Sequence, residues 1–310
     1  MRKKVSLVIP CFNEQETLHS LYGSIKAITD QHADYDYELL FVNDGSSDHT
    51  LDIIKELRAQ DGRVCYVDLS RNFGKENAML AGFDFATGDC AIILDADLQD
   101  PPTLLPQMVA LWEEGWQDVY ARRKDRGKES FLRRKLSMAY YALLQKTTRI
   151  DILENVGDFR LLDRKCIDAL RLLRESERYT KGMFCWIGYR KKEIAFDRGD
   201  RTQGQSSFNL LRLFELAVEG ITSFTTAPLR ISTLTGITIS IVTFLYTLYF
   251  LLKTLIFGDS VQGFPTLVII ILFLGGIQLL SLGIIGEYLG RIFHETKNRP
   301  VYLVNEHAGV

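Results

Sequence analysis

The sequence predicts an α/β protein: a Rossmann-like, mostly parallel sheet with helices on both faces, followed by interfacial amphipathic helices and a two-helix transmembrane hairpin. Three observations predict it. Short apolar runs alternate with stretches of helical spacing, each run ends in a polar cluster, and two long uncharged stretches follow residue 228. Parallel strands share a direction, so the polar clusters converge on one sheet edge, where open α/β sheets bind ligands.

Taken in order, residues 5–10, 38–43, 64–69 and 90–94 are apolar runs of strand length. Residues 14–29, 48–60 and 76–86 between them show helical spacing. The runs end in "PCFNE", "VNDGSSD", "SRNFGK" and "DADLQD". In the second, Asp44 is an acceptor for a base or ribose, Gly45 suits a tight turn, and Ser46 or Asp48 suits a helix cap. Ordinary turn chemistry explains the same residues when that stretch is read alone. The fourth run stops at "PP", which cannot continue a sheet, so Asp95, Asp97 and Asp100 lie on a loop at a strand's carboxyl end. Carboxylates one residue apart repel, and a hard divalent cation, Mg²⁺ or Mn²⁺ shared with a diphosphate, relieves the repulsion best. The alternative is a solvated acidic turn before a proline-started helix. No GxGxxG follows the first strand and no GxxxxGK[ST] occurs, which removes support for a dinucleotide cofactor or a P-loop hydrolase.

After Trp116 the composition turns basic. "DVYARRKDRGKESFLRRKL" interleaves Arg133, Arg134 and Lys135 with Phe131, Leu132 and Leu136, and this pattern predicts an interfacial helix over about 129–148 on an anionic membrane surface. A second such helix is expected over about 208–225. Two spans over about 231–252 and 264–285 are each long enough to cross a hydrocarbon core of about 30 Å. The domains expected are therefore 1–228, 229–290 and a C-terminal cytosolic tail, 291–310. The connection "FGDSVQG" carries no Lys or Arg, whereas Arg230, Arg291, Lys297 and Arg299 flank the apolar stretches; Lys253 sits near the opposite boundary. The positive-inside rule then places both termini and the large domain in the cytoplasm of a multi-pass membrane protein. Gly275, Gly276, Gly283, Gly286 and Gly290 allow close helix contact, which points to a homo-oligomer. A formal charge of −2 supplies no field for nucleic acid, and five cysteines without a CxxC read as packed, reduced thiols. The opening "MRKK" runs into a strand and has no signal-peptide pattern.

Seven stretches in order, "VSLVIPCFNEQETL", "ELLFVNDGSSDHT", "LSRNFGKENAMLAGFDFATGD", "ILDADLQDPP", "NVGDFRLLDR", "DRTQGQSSF" and "GIIGEYLGRIF", resemble the polyprenyl-phosphate glycosyltransferases of glycosyltransferase family 2. Dolichol-phosphate mannosyltransferases and bactoprenol glucosyltransferases of O-antigen modification are similar over nearly the whole chain. The resemblance implies a GT-A fold that binds a sugar nucleotide and one divalent metal at the strand ends. It implies a nucleotide pocket lined by Pro10, Asn13, Glu14, Asp44, Ser46 and Asp95, and metal ligation by Asp95, Asp97 and Gln99. It also implies an acceptor-phosphate site of Arg123, Arg133, Arg134, Ser137 and Arg201, and a carboxylate, Asp158, close to the reacting centre. For Asp158 a cap or a salt bridge with Arg160 is the competing role. Relatives commonly read G-x-[ST]-K where this chain has "GQSSF", so Ser207 stands in place of a lysine.

The implied activity is that of an inverting transferase moving one hexose, glucose from UDP-glucose, onto undecaprenyl phosphate at the inner face of the bacterial inner membrane. The acceptor oxygen is already anionic, so no strong base is needed, in keeping with five histidines outside the motifs. The alternatives are another donor, GDP-mannose or a UDP-linked modified arabinose, and a membrane protein that binds a sugar nucleotide without turning it over.

Overall fold

The computed structural model describes residues 2–123, 156–176, 178–196, 227–257 and 263–310, and the chain divides into two compact units, 1–210 with 299–310 and 211–298. The expected interfacial helices at 129–148 and 208–225 lie outside the described residues.

The first unit begins as the alternation predicts. β1 (Lys4–Cys11), α1 (Leu18–Gln31), β2 (Asp36–Asn43), α2 (Thr50–Gln60), β3 (Val64–Leu69), α3 (Lys75–Phe85) and β4 (Cys90–Ile93) follow one another. A 3₁₀ turn over Pro102–Leu104 opens α4 (Leu105–Glu113), as a proline at the first helical position permits. β5 (Asp118–Arg123), β6 (Val156–Asp163), α5 (Arg164–Leu172), α6 (Thr180–Trp186) and β7 (Lys191–Phe196) complete the run. The strand order is β7-β5-β6-β4-β1-β2-β3-β8, where β8 is Val304–Ala308. β6 and β8 alone run against the other six, so the sheet is mostly parallel as expected.

Side chains of a strand alternate between faces, and β1 shows the consequence. Val5, Leu7, Ile9 and Cys11 pack with Leu18, Leu21 and Ile25 of α1, Ile54 of α2 and Met108 of α4. Val8 packs on the other face with Ala78, Met79 and Phe83 of α3, Ile167 and Leu170 of α5, and Phe184 of α6. Both faces are covered, as a parallel sheet requires. Four of the cysteines are free and buried within these layers and Cys185 is half-buried; burial pushes the thiols of Cys11, Cys65, Cys90 and Cys166 up, which leaves them protonated and inert.

Within the segment expected as a tail, the structure adds an eighth strand. Residues 299–310 belong to the first unit, where β8 pairs antiparallel with β3. The Tyr302 hydroxyl donates to Asp84 at 2.5 Å, Asn305 donates to Asp68 at 2.9 Å, and the Ser70 amide donates to the Leu303 carbonyl at 2.9 Å. The physical reason is an edge: β3 would otherwise present unpaired backbone groups.

The second unit contains α7 (Ala227–Phe257) and α8 (Phe264–Thr296), which share a hydrogen bond of 2.8 Å between the hydroxyls of Ser232 and Ser281. One described stretch, Phe273–Thr296, is long and apolar enough to cross a membrane; in α7 the apolar stretch, Ser232–Tyr246, is shorter. Of the two spans expected over about 231–252 and 264–285, the described residues thus give one helix of membrane-crossing length. Within α7, Thr233 and Thr238 donate to the carbonyls of Leu229 and Leu234, which satisfies their hydroxyls inside an apolar helix. A Cβ at any of the five glycines of α8 would meet nothing, so these glycines are not consumed by contact with α7 among the described residues.

Asp61, which follows α2, accepts from the Arg63 guanidinium at 2.8 Å and from the Tyr22 hydroxyl at 3.0 Å. The Arg63 hydrogen bond, working against burial, holds its carboxyl at about 2. Its ordinary unfolded value is about 3.9, so this stabilisation is complete above that pH and is lost as pH falls towards 2. Asp61→Asn should cost about 1–2 kcal/mol at neutral pH and show a shallower loss of stability between pH 4 and 2, measured by denaturant midpoints in detergent.

Candidate functional site

The polar clusters meet at the edge predicted for them, and hydrogen bonds between loops hold them there. The Asn13 amide donates to the Ser46 hydroxyl at 2.9 Å, and the Asn13 side-chain oxygen accepts from the Ser47 amide at 2.8 Å. The Glu14 amide donates to the Thr50 hydroxyl at 2.8 Å, and the Ser46 hydroxyl donates to the Asn43 side chain at 2.5 Å. Asn13 adopts φ 56°, a left-handed conformation that asparagine tolerates better than most residues. Pro10 sits one residue before the end of β1, opposite Val42. Asp48, expected as a cap, accepts from the Thr50 amide at 3.0 Å in the first turn of α2.

Asp44 is buried, and its two oxygens accept from the Phe73 amide at 2.7 Å and the Gly74 amide at 2.9 Å. These bonds tie the end of β2 to the loop that starts α3. Gly45 is required beside it: φ is 64°, and a Cβ would collide with the Arg71–Asn72 backbone. The residue expected to face a base or ribose therefore also serves as the tie between two loops, with one lone pair on each oxygen already used.

At the end of β4 the backbone reverses through Leu98, whose φ is 61°, while the Asp97 carboxylate accepts from the Gln99 amide at 3.1 Å. Asp95, Asp97 and Gln99 are half-buried, whereas Asp100 turns inward and is buried. Glu14 joins this acidic field. Burial first, then Asp97 and Asp95, push its carboxyl up.

The feature that sequence reading missed is Lys75. Antiparallel pairing of β4 and β6 ends with Ile93 opposite Arg160, so Asp95, two residues past Ile93, and Asp158, two residues before Arg160, come to the same edge of the sheet. Like charges brought together are unfavourable, by about 3 kcal/mol before solvent screening at contact separations and an effective dielectric constant of about 20. The Lys75 ammonium lies between them, 2.8 and 2.7 Å from the two Asp95 oxygens and 2.7 Å from Asp158 Oδ2. Although burial opposes its charge, the two carboxylates hold the Lys75 pKa above its ordinary value. Asp158 is held below the usual carboxylate range despite its burial, chiefly by Lys75, while burial leaves Asp95 raised. The competing partner for Asp158, Arg160, is committed elsewhere: it pairs with buried Asp118 at 3.1 Å and lies over the Phe184 ring at 3.8 Å. "SRNFGK" was legible as a strand-end loop, and Lys75 was its signal, but only the reversed direction of β6 reveals what the lysine faces.

Arg123 closes β5 opposite Phe196, at the same edge. Arg133, Arg134, Ser137, Arg201 and Ser207 lie outside the described residues. Among the described residues no three His, Cys, Asp or Glu side chains gather into a metal-binding group. The donor set of Asp95, Asp97 and the Gln99 amide still fits Mg²⁺ or Mn²⁺, because such ions commonly take one or two carboxylates and fill the remaining positions with substrate phosphate and water. Asp95 and Asp158 share one ammonium here, an excess of negative charge that a divalent ion balances.

The family model described as Glycosyl transferase family 2 matches residues 6–171. The chain is 42% identical over 307 residues to the SfII prophage-derived bactoprenol glucosyl transferase of Shigella flexneri, spanning 99% of each chain. It is 45% identical over 302 residues to the putative glycosyltransferase CsbB of Bacillus subtilis, spanning 97% of this chain and 91% of the relative. Among solved structures, glucosyl-3-phosphoglycerate synthase from Mycobacterium tuberculosis in complex with Mg²⁺ and uridine diphosphate aligns with a TM-score of 0.50 at 20% identity, over 71% of this chain and 77% of that one. This last likeness shows the fold alone.

Asp44→Ala should lower stability by about 1–3 kcal/mol, since it strands two backbone donors, whereas Asp44→Asn keeps one acceptor and should lose less. Denaturant titration followed by tryptophan fluorescence checks the order.

Proposed function

The chain belongs to glycosyl transferase family 2, and from that premise we propose that it transfers glucose from UDP-glucose to undecaprenyl phosphate at the cytoplasmic face of a bacterial inner membrane, with inversion at the sugar. The observation that carries this is the acidic end of β4, set among the nucleotide-side loops of β1 and β2 in a chain that also has an apolar helix of membrane-spanning length. The similarity to a bactoprenol glucosyl transferase over 99% of both chains supports the donor and the lipid carrier together.

Nucleotide binding falls to the zipped loops. Pro10, Asn13, Glu14, Asp44 and Ser46 form a wall whose geometry is set by bonds between loops, so little ordering is left for the substrate to impose. When bound at Asp95, Asp97 and Gln99, a divalent metal supplies Lewis-acid stabilisation of the departing diphosphate. The attacking oxygen belongs to a phosphate monoester and is anionic at neutral pH, so the protein need not remove a proton. Its harder task is to hold one anion beside another, which requires guanidinium or ammonium groups. Arg123, Arg133, Arg134 and Arg201, with the Ser137 hydroxyl, take that role, and Asp158 orients the sugar or the acceptor beside them.

Topology supports membrane attachment through a returning segment. The chain leaves the first unit after β7 and comes back to hydrogen-bond with β3 through β8, so both ends of the second unit connect to the first. Any crossing between them must be repeated in reverse. Two spans, α7 and α8, with both termini cytoplasmic, satisfy this. The glycine row along α8 then offers a surface for a second copy in the bilayer.

Asp97→Ala should reduce formation of organic-extractable labelled lipid at least a hundredfold while leaving thermal unfolding within a few degrees of the parent. Purified protein is incubated with Mg²⁺ or Mn²⁺, undecaprenyl phosphate and labelled UDP-glucose, GDP-mannose or a UDP-linked modified arabinose in parallel. Label carried by UDP-glucose supports the donor, label carried only by another nucleotide reassigns it, and no label with any of them refutes the transferase reading.

A further inference from the structure

We propose that Lys75 is a positioning residue that stands in the cation's place at Asp95 until a diphosphate arrives, and so makes metal binding depend on nucleotide binding. This rests on the reading of Asp95 and Asp97 as metal ligands. The ammonium straddles Asp95, within 2.8 Å of both oxygens, as a chelated cation would, and bonds Asp158 at 2.7 Å.

Two further observations separate this from an ordinary ion pair. Lys75 is the first residue of α3, where the helix dipole disfavours a cation, so its position depends on the two carboxylates. Its side chain is also the outermost of the three, 42% exposed against 27% for Asp95 and 10% for Asp158. A four-carbon stem can therefore turn outward without moving the backbone, which the Asp44 bonds to the Phe73 and Gly74 amides hold.

A divalent ion approaching alone meets a carboxylate already neutralised and an ammonium that repels it. Diphosphate oxygens give that ammonium another anion to face, which releases Asp95 to the metal. Metal and nucleotide then raise each other's affinity by the same factor, as linkage requires.

The test is Mn²⁺ alone, titrated into the detergent-purified full-length protein and followed by electron paramagnetic resonance, with and without UDP. Lys75→Met should bind Mn²⁺ without nucleotide roughly tenfold more tightly than the parent, and UDP should enhance it less. Lys75→Arg, which keeps the charge, should behave as the parent. Folded Lys75→Met that binds Mn²⁺ no more tightly, with the UDP enhancement unchanged, overturns the proposal. Lys75→Gln serves the same purpose if the methionine variant does not fold, and failure of both to fold assigns Lys75 a structural role instead. Asp97→Ala separates the two levels: if it binds Mn²⁺ and UDP as the parent does, or if the parent binds no Mn²⁺ even with UDP, the metal assignment itself fails and the Lys75 proposal falls with it.

Discussion

Two carboxylates brought to one sheet edge by strand pairing are the constraint on which the site depends. Asp95 follows the end of β4 and Asp158 lies at the start of antiparallel β6, so the pairing of those strands brings both to one edge, where a single ammonium bonds them. The sheet's hydrophobic core enforces that register, because a one-residue slip would turn Ala91, Ile93 and Leu162 out of one layer and into the other. Burial of apolar surface thus sustains an electrostatic conflict, and the conflict is what makes the edge attractive to cations. Lys75 satisfies it within the protein; a divalent ion satisfies it with charge to spare for a diphosphate.

The loops around this pair are fixed by a second set of constraints. Asn13, Ser46, Ser47 and Thr50 join the β1 and β2 loops, and Asp44 joins the β2 loop to the start of α3. Every tie uses a backbone amide that would otherwise need water, so the loops cannot separate without leaving donors unpaired. Left-handed residues appear where the chain must turn sharply into this network, at Asn13, Gly45 and Leu98. A side chain such as Leu98 tolerates that conformation here because it is anchored by partial burial against the core. The route from sequence to chemistry therefore passes through loop geometry, and the polar residues act on one another before they act on any substrate.

This explains which parts were legible. Alternation and helical spacing are local signals, and β1 to β4 with α1 to α3 follow them to within a few residues of their ends. The convergence of four polar clusters also follows from parallel direction alone. Strand reversal leaves no comparable mark: nothing in "NVGDFRLLDR" announces that β6 runs backwards, so the meeting of Asp158 and Asp95, and with it the place of Lys75, required the paired register. β8 was missed for a similar reason. Residues 304–308 alternate half-buried and exposed positions and have no apolar run, because an edge strand needs only one packed face.

The added edge strand also bears on how the catalytic sheet and the apolar segment are connected. β8 contributes only five residues, but they are linked to α8 by a short connection and are bonded to β3, next to the strand that carries Asp44. The Tyr302 hydroxyl and the guanidinium groups of Arg171 and Arg174 share Asp84 on α3, the helix that begins with Lys75. The exit from the apolar segment is therefore joined through one half-buried acidic residue to the element that presents the site's ammonium. A chain anchored at only one end of its apolar segment would leave that end of the sheet as an open edge and the helix without a return attachment. Pairing β8 with β3 closes that edge with residues that follow the apolar segment in the chain, so the sheet is completed only after the segment has been made.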